Sequence, residues 1–485
     1  MNDLITDGRR EGPNPADEHL VASLRASVDG HAPREVVDYL DGTMPAAWHT
    51  GAPVPDATTR RFVVARAIDR LMANLRPLAT RVRALPIGLR CLRERYQRSG
   101  SFTRDVLGVV VPKGPIGPLA PLGEGDGEPN PASGAHKAQL FRWITRFEHE
   151  ALSVGAPVSS RHGPRMGVDA RRFKVAVVPW AETADYLDLT SEQIETIPWV
   201  HVSVPARSEA DLAERAAAVV DALAAHAVTL AVLPEFVVSP AAVTALRGAL
   251  KAKVAECDDF ALEMLVAGSG LTESLHGTSR LPHNECVVLS RGGRVLWRQH
   301  KCHQYAMEPE RLRDYKLDGI VCSDMRHRER FQQGHQVEVR DTALGRALVL
   351  ICEDLAQTQA GRPIIDALRP DWLFVPVLDG ELLFGRWIHQ HVLPLARDYG
   401  TNSVIATSLM LALCEKPGLA KAQVGLCMAG ASEERDPKTR EVTRATGPGV
   451  VALLSVSIAQ PAPRIAVAAW TPSGWSPTWL TEGKR

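Results

Sequence analysis

The sequence lacks the features that mark a membrane protein, a secreted protein or a general nucleic-acid binder. Its 56 basic and 56 acidic residues leave no net charge, so nothing draws the whole chain to nucleic acid or to an anionic membrane. No apolar run approaches the roughly 20 residues that a membrane-spanning helix needs. The N-terminus has no apolar segment typical of a secretory signal. We therefore expect no membrane partner.

The sequence also lacks cysteines at paired spacing. Its eight cysteines form neither a disulfide framework nor a zinc motif. Free thiols are typical of a reducing compartment, so we expect a cytoplasmic protein. The stretch His300–Gln304, "HKCHQ", groups possible ligands too closely for ordinary zinc coordination. We expect no metal and no other cofactor.

The first part of the chain, residues 1–110, is predicted to be mainly helical and is rich in arginine. Apolar residues recur at helical spacing over residues 56–76. From Arg60 to Arg98 there are eleven arginines and only two acidic residues. This pattern favours a solvated helix face or a surface for another part of the protein. The alternative is a docking site for an acidic or nucleic-acid partner.

Residues 111–170 are predicted to form a linker and a short helix. Six prolines and six glycines lie between Val111 and Lys137, a composition that excludes a helix or a central strand. The short helix is expected over residues 138–152. Beyond it, residues 171–485 are predicted to form one domain of a different kind.

The pattern of residues 171–485 alternates strands with helices. An apolar, β-branched run at Phe173–Val178 indicates a buried strand. Ser208 and Asp211 stand at the spacing of a helix cap, and Gly292 and Gly293 indicate a hairpin turn. The pattern predicts a single α/β domain with mixed strand pairing.

Three of the predicted strands end in a reactive side chain: Glu235, Lys301 and Cys352. Polar groups just beyond buried strands lie at one rim of a sheet, where open α/β folds place their sites. Together, the thiol can attack a carbonyl carbon, the carboxylate can move the thiol proton, and the ammonium can stabilise an oxyanion. Singly, each has a plainer interpretation as a core cysteine, a turn glutamate or a solvated lysine.

The motifs around these three residues resemble those of the nitrilase, or carbon–nitrogen hydrolase, superfamily. "LAVLPEF" resembles the glutamate motif, "NECVVLSRGGRVLWRQHK" the lysine motif and "GRALVLICEDL" the nucleophile motif. The resemblance extends from about Phe173 to about Trp470 and leaves the N-terminal third of the chain outside it.

The resemblance implies a four-layer α-β-β-α sandwich that associates as a homodimer or a larger homo-oligomer. It implies Glu235 as general base, Lys301 as oxyanion stabiliser and Cys352 as nucleophile. The backbone N–H of Glu353 is the implied second oxyanion donor. Many members carry a further glutamate shortly after the lysine. Glu308 and Glu310 are the candidates, and we expect Glu308 to fill this auxiliary role.

Two acidic residues, Glu353 and Asp354, follow the cysteine directly, although negative neighbours disfavour a thiolate. A helix that begins after Cys352 would direct its N-terminus at the sulfur and favour the anion, with help from Lys301. The Cys-Glu-Asp triplet resembles glutaminase- and amidase-type members more than nitrile-hydrolysing ones. It therefore favours a small-molecule amide substrate, for example a glutamine-like side chain.

The chain departs from the family between Lys301 and Cys352, which are separated by fifty residues. The surplus includes the charged insert 311–335. It could form a substrate lid, an interface or a surface excursion, and we expect the surface excursion. Tyr305, Phe236 and the loop after Val377 are candidates to line the substrate pocket.

These observations favour a thiol-dependent hydrolase of a non-peptide carbon–nitrogen bond, most simply an amide, that acts through a thioester. The alternative is a catalytically silent scaffold whose arginine-rich N-terminal region binds a partner. A third hypothesis combines the two, with an enzyme that docks to an acceptor of its product.

Overall fold

The computed structural model describes residues 108–112, 141–145, 153–154, 158–159, 173–272, 281–314, 325–342, 344–357, 361–429, 432–435, 442–446, 451–471 and 474–478. The arginine-rich stretch and most of the proline- and glycine-rich linker lie outside these residues, so the predictions made for them remain predictions. Over the described ranges, no helix is both long enough and apolar enough to cross a membrane.

The strands in the described residues are numbered in chain order. They are β1 (Gly108–Pro112), β2 (Phe141–Thr145), β3 (Ser153–Val154), β4 (Val158–Ser159), β5 (Lys174–Val177), β6 (Asp188–Ile194), β7 (Ile197–Ser203), β8 (Leu230–Val232), β9 (Met264–Thr272), β10 (His283–Ser290), β11 (Val295–His300), β12 (Ala306–Met307), β13 (His327–Glu329), β14 (Gln336–Val337), β15 (Val339–Thr342), β16 (Gly345–Val349), β17 (Trp372–Pro376), β18 (Asn402–Ala406), β19 (Lys421–Met428), β20 (Ser432–Arg435), β21 (Val442–Thr446), β22 (Val451–Ser457), β23 (Ala466–Thr471) and β24 (Gly474–Thr478).

The helices in the described residues are numbered in the same way. They are α1 (Glu209–Ala225), α2 (Pro240–Glu256), α3 (Pro309–Asp314), α4 (Glu353–Ala356), α5 (Gly361–Leu368), α6 (Trp387–Tyr399) and α7 (Met410–Glu415).

Two large sheets form the centre of the domain. The first has the strand order β11-β10-β9-β8-β5-β23-β24, and the second has the order β22-β19-β18-β17-β16-β15-β4. In each sheet the central strands are parallel, as in β5-β8-β9 and β16-β17-β18, and hairpin-linked strands pair antiparallel at the sides. The mixed pairing predicted from the hairpins is therefore present.

Side chains of β5 alternate between two apolar cores. Val175 and Val177 belong to the cluster that also holds the second sheet, and a Cβ added at Gly425 of β19 would meet Val177. Ala176 and Val178 belong to the cluster that holds α1 and α2. Because successive strand residues point to opposite faces, this alternation places the second sheet on one face of β5 and the helices on the other.

Helices cover the outer side of each sheet. Leu212 and Leu223 of α1 and Leu246 of α2 are buried in the cluster on the first sheet. Ile365 of α5 and Val392 of α6 are buried with the strands of the second sheet. The predicted four-layer α-β-β-α sandwich is thus confirmed.

The two local signals singled out in the sequence are both present. Asp211 donates its backbone N–H to Ser208 Oγ at 3.1 Å, which caps α1. The β10-β11 hairpin turns through Gly293, whose φ of 75° is in the left-handed region that favours glycine.

The short helix predicted over residues 138–152 is wrong where the structure describes this segment. Phe141–Thr145 forms β2, which pairs antiparallel with β1. Phe, Trp, Ile and Thr are enriched in strands, and the β-branched run of β1 supplies a partner. Nearby, β3 pairs with β14 and β4 with β15, so parts of the predicted linker add short strands to the domain.

A smaller sheet that the sequence did not predict lies beside the sandwich, in the order β12-β13-β7-β6. The hairpin β6-β7 supplies two of its four strands, and β7 pairs in parallel with β13. This pairing sets Glu329 of β13 opposite Val200. The charged insert 311–335 therefore contains a strand of a sheet, at His327–Glu329.

Candidate active site

Glu235 lies just beyond β8, in a turn that glycine makes possible. Gly268 of β9 has φ 67°, and a Cβ there would overlap the carbonyl oxygen of Pro234. That same oxygen accepts the Ser269 N–H at 3.0 Å. The close approach of β9 fixes the Pro234-Glu235 turn and buries the glutamate completely.

Both carboxylate oxygens of Glu235 accept hydrogen bonds. Oε1 accepts from Lys301 Nζ at 2.7 Å and from Asn284 Nδ2 at 2.9 Å. Oε2 accepts from the backbone N–H of Leu378 at 2.9 Å. These donors come from three separate parts of the chain, so the carboxylate is held in one orientation.

Lys301 lies at the end of β11 and is completely buried. Its Nζ donates to Glu235 Oε1 at 2.7 Å and to Glu329 Oε2 at 2.6 Å. The rings of Phe236 and Phe331 flank it, with centroids at 5.8 and 5.5 Å. Burial opposes the charge, but the two carboxylates outweigh it and raise the pKa of Lys301 well above its ordinary value.

Cys352 follows β16 and is the N-cap residue of α4. Its φ of 49° is unusual for a residue with a side chain, and its N–H donates to Pro376 O of β17 at 2.9 Å. The residue is 7% exposed. Strained backbone of this kind persists where the surrounding structure determines it, and it is frequent at functional sites.

Burial raises the pKa of the Cys352 thiol well above its ordinary value. The carboxylates of Glu235 and Glu329 raise it further, whereas the Lys301 ammonium and the Leu378 amide oppose them. The helix predicted after Cys352 is present as α4, and Lys301 lowers the thiol pKa in the predicted direction. Burial and the two carboxylates outweigh this effect, so the net shift of the pKa is upward.

The structure thus brings Glu235, Lys301 and Cys352 to one rim where the two sheets face each other. It adds a residue that the sequence did not identify, Glu329, which is buried and binds Lys301. Glu329 Oε2 also accepts the Tyr305 N–H at 2.9 Å. Burial raises the pKa of Glu329 to about 7, with Lys301 opposing and Glu235 adding to the shift.

The prediction that Glu308 is the auxiliary glutamate is wrong, and so is the alternative, Glu310. Glu308 is exposed and pairs with Arg326 at 2.6 Å, while Glu310 is exposed beside Arg313. The expectation of a surface excursion for the insert fails for the same reason, because Glu329 belongs to it. No local signal in the sequence marked Glu329. In the structure, His327 and Glu329 of β13 are buried and Arg328 is exposed.

Glu353 was predicted to contribute its backbone N–H. It is the first residue of α4, where an N–H has no acceptor within the helix, so this donor is available beside the sulfur. Its side chain accepts a hydrogen bond from Gln357. Burial raises the pKa of the Glu353 carboxyl.

Residues of the stretch His300–Gln304 contact acidic side chains or are buried. His300 Nε2 lies 3.0 Å from Glu285 Oε2, His303 Nδ1 lies 3.0 Å from Asp354 Oδ1, and Cys302 is buried. Over the ranges that the structure describes, no group of three or more His, Cys, Asp or Glu is arranged to hold a metal ion.

Tyr305 lies near the thiol, on the side where the loop after Val377 passes. Burial raises the pKa of Tyr305 to about 12, Arg311 opposes this shift, and Cys352 and Asp379 add to it. Arg311 Nη1 lies 3.8 Å from Asp379 Oδ1. Tyr305, Phe236 and the loop after Val377, which contains Asp379, were predicted to line a substrate pocket. The cation Arg311 was not among the predicted lining residues.

Comparison with known proteins agrees with the motifs. Residues 193–364 match the family model for carbon-nitrogen hydrolase, a range that contains all four buried residues of the site. This match lies within the α/β domain and agrees with the resemblance to the nitrilase, or carbon–nitrogen hydrolase, superfamily. No curated protein sequence matches the chain.

Solved structures with some likeness include members of the nitrilase superfamily. Nit3 of Saccharomyces cerevisiae, of branch 10 of the superfamily, is 14% identical over 61% of this chain and 89% of its own, with a TM-score of 0.33. An amidase from Nesterenkonia sp. is 14% identical over 64% of this chain and 92% of its own, with a TM-score of 0.33. The glutamine-dependent NAD+ synthetase of Acinetobacter baumannii is 14% identical over 64% and 48%, with a TM-score of 0.35. At this level these likenesses carry no argument about activity.

The pairing of Glu329 with Lys301 leads to a prediction about turnover. Glu329→Gln is expected to lower kcat for hydrolysis of a carbon–nitrogen bond by about tenfold to a hundredfold, because the ammonium loses a charged partner and shifts. Glu308→Gln is the matched control, and loss of an exposed ion pair should change kcat by less than about twofold. Steady-state kinetics on both variants check this. Equal effects at the two positions would contradict the role given to Glu329.

Proposed function

We propose that this carbon–nitrogen hydrolase cleaves an amide through a thioester on Cys352, with Glu235 as general base and acid and Lys301 as oxyanion stabiliser. The observation that carries the proposal is the buried Lys301 ammonium, which holds Glu235 at 2.7 Å and Glu329 at 2.6 Å beside the thiol. Such a group of charges is costly to bury, and it matches the groups that acyl transfer requires.

The first step is attack of the thiol on the amide carbonyl carbon. The pKa of Cys352 is raised, so the thiol is neutral and must lose its proton as it attacks. Glu235 accepts that proton, sulfur forms a bond to carbon, and the carbonyl π electrons move to oxygen. The donors that fix Glu235 keep it in one orientation for this transfer.

The oxyanion formed in that step needs hydrogen-bond donors. A lysine ammonium has three N–H groups, and Glu235 and Glu329 take two of those of Lys301, which leaves one for the oxyanion. The Glu353 N–H at the start of α4 is the second donor. Buried donors that are already oriented stabilise such a charge without reorganisation.

Collapse of the intermediate releases the amine. The oxyanion electrons re-form the carbonyl, the carbon–nitrogen bond breaks, and protonated Glu235 gives its proton to the leaving nitrogen. Ammonia or an amine departs and a thioester remains. Water then loses a proton to Glu235 and attacks the thioester, and the thiol leaves with that proton. The net reaction consumes one water and yields a carboxylic acid and an amine.

An amide is preferred over a nitrile because of the Cys-Glu-Asp sequence at the nucleophile. A silent scaffold is less consistent with the site, because buried ionised groups without a function could be replaced by apolar residues at little cost or with a gain in stability.

The proposal is tested by mass spectrometry of the intact protein mixed with a panel of amides. Brief acid quench is expected to trap a mass increase equal to the acyl group, located on Cys352 after digestion. Cys352→Ala should show neither the adduct nor release of ammonia or amine. Turnover that persists in Cys352→Ala, or an adduct located on another cysteine, would overturn the proposal. So would a complete lack of turnover and adduct across primary and secondary amides of varied size and charge.

A further inference from the structure

A single carboxylate, that of Asp354, is hydrogen-bonded to both segments that carry the reactive groups. It is 2% exposed and lies in α4, two residues after Cys352. Oδ1 accepts from the backbone N–H of Cys302 at 3.0 Å and of His303 at 2.8 Å, and it lies 3.0 Å from His303 Nδ1. Oδ2 accepts from Ile351 N at 3.2 Å and from Cys302 N at 3.2 Å.

The donors are the immediate neighbours of the reactive residues. Cys302 directly follows Lys301, and Ile351 directly precedes Cys352. Lys301 ends a strand of the first sheet, whereas Cys352 ends a strand of the second sheet. The Asp354 carboxylate therefore joins the two sheets at the rim where the site lies.

Other backbone bonds attach each segment to its own sheet. Lys301 N donates to Asn284 O of β10 at 2.8 Å, and Cys352 N donates to Pro376 O of β17 at 2.9 Å. These bonds do not set the separation between the two segments. The Asp354 carboxylate bridges the two segments, because its two oxygens accept backbone N–H groups from both.

We propose that Asp354 is a positioning residue that fixes the Lys301 ammonium relative to the Cys352 sulfur. Its carboxylate binds the backbone on both sides, so a change in its length or its acceptor capacity changes that separation. The inference rests on the proposed function only in using turnover as one of its two readouts.

Two variants of Asp354 distinguish the positioning role of its side chain from the effect of its charge. Asp354→Asn removes the charge and leaves one acceptor oxygen for three backbone N–H donors. Asp354→Glu keeps the charge but lengthens the side chain by one methylene. Asp371→Asn is the matched control, because Asp371 is also a buried aspartate that accepts a backbone N–H, from Arg346 at 2.8 Å, away from the site.

The main readout is the pH dependence of Cys352 alkylation by iodoacetamide, followed by mass spectrometry. Glu235, Lys301 and Glu329 are the charged groups with the largest effects on this thiol, and Lys301 alone among them lowers its pKa. Tyr305 also interacts with the thiol. Displacement of Lys301 should move the alkylation midpoint upward, by about one pH unit, in both Asp354 variants. Loss of a nearby negative charge alone would move the midpoint of Asp354→Asn downward. The direction in which the Asp354→Asn midpoint shifts therefore distinguishes displacement of Lys301 from loss of the Asp354 charge.

The second readout is turnover of an amide that the wild-type protein hydrolyses. Both Asp354 variants are expected to lose about tenfold to a hundredfold in kcat with little change in KM, while Asp371→Asn keeps the wild-type alkylation midpoint. Circular dichroism and thermal unfolding establish that each variant is folded.

An unchanged or lowered midpoint in folded Asp354→Glu would overturn the proposal. So would failure of both Asp354 variants to fold while Asp371→Asn folds, because Asp354 would then serve stability alone. If the wild-type protein hydrolyses no amide but both midpoints rise, the positioning role stands and the proposed function falls. If turnover and midpoint match the wild type in both variants, the positioning role falls and the proposed function stands.

Discussion

Replacement of Glu235 by glutamine is expected to lower kcat/KM for amide hydrolysis by about a thousandfold, within the range for loss of a general base. Glutamine has nearly the same shape, and its oxygen can still accept from Lys301 or from the Leu378 N–H. It cannot take the proton of a thiol whose pKa burial has raised, so attack on the carbonyl is blocked. Steady-state kinetics with a hydrolysed amide measure the loss.

Glu182→Gln is the matched control for this prediction. Glu182 is also buried and ion-paired, with Arg464 Nη1 at 2.6 Å, but it is not among the groups that act on the Cys352 thiol. Kinetics on the control should remain close to the wild type. A Glu235→Gln enzyme that kept more than about a tenth of wild-type kcat/KM would exclude Glu235 as the base.

Lys301→Met is expected to have the second large effect, on both activity and stability. Loss of an oxyanion donor should lower kcat by about a hundredfold to a thousandfold. The variant also leaves the carboxylates of Glu235 and Glu329 buried together without their cation. Breaking a buried ion pair in this way typically destabilises a protein by about 3–5 kcal/mol.

The loss of stability in Lys301→Met should depend on pH in a definite direction. The pKa of Glu329 is already raised by burial, and removal of the ammonium that opposes this shift raises it further. A carboxyl whose pKa is raised by folding stabilises the protein below its unfolded pKa, and that contribution is lost as pH rises through the folded pKa. The stability of the variant should therefore be closest to that of the wild type near pH 5. It should fall furthest below the wild type above pH 7, the Glu329 pKa being about 7 while Lys301 is present.

Urea unfolding at several pH values measures this dependence. Lys416→Met serves as the control, since Lys416 forms an exposed ion pair with Glu381 and its loss should matter little. The double variant Lys301→Met, Glu329→Gln should regain stability at neutral pH without regaining activity. A Lys301→Met protein as stable as wild type at pH 8 would contradict the charge balance described for the site.

The three residues at strand ends could be predicted because each signal was local. Glu235 and Cys352 each follow an apolar run, Lys301 follows the second strand of a hairpin with a glycine turn, and the surrounding motifs are continuous in sequence. The alternation of apolar positions also determined which faces of the strands and helices are buried. The sequence was therefore sufficient to predict where each reactive residue lies along the chain and which face of an element is buried.

Glu329 could not be predicted because nothing local marks it. Its strand is three residues long and carries charged side chains, and it pairs with β12 and with the β6-β7 hairpin more than a hundred residues earlier. The direction of the Cys352 pKa shift also could not be predicted from the sequence, because it depends on burial and on Glu329 itself. The segment around Phe141 was mispredicted because its residues suit either a helix or a strand, and the partner β1 decides between them.

The small sheet has a consequence for how this site could be inherited or transplanted. Glu329 is held opposite Val200, Arg330 donates its N–H to Val200 O at 3.0 Å, and the Arg330 side chain pairs with Glu192 of the hairpin. The β6-β7 hairpin and β13 would therefore have to be transferred together for Glu329 to keep its position. A relative or a chimera that exchanges only one of them would keep every reactive residue in its sequence. It would nevertheless lose the strand pairing that holds the carboxylate of Glu329 in place.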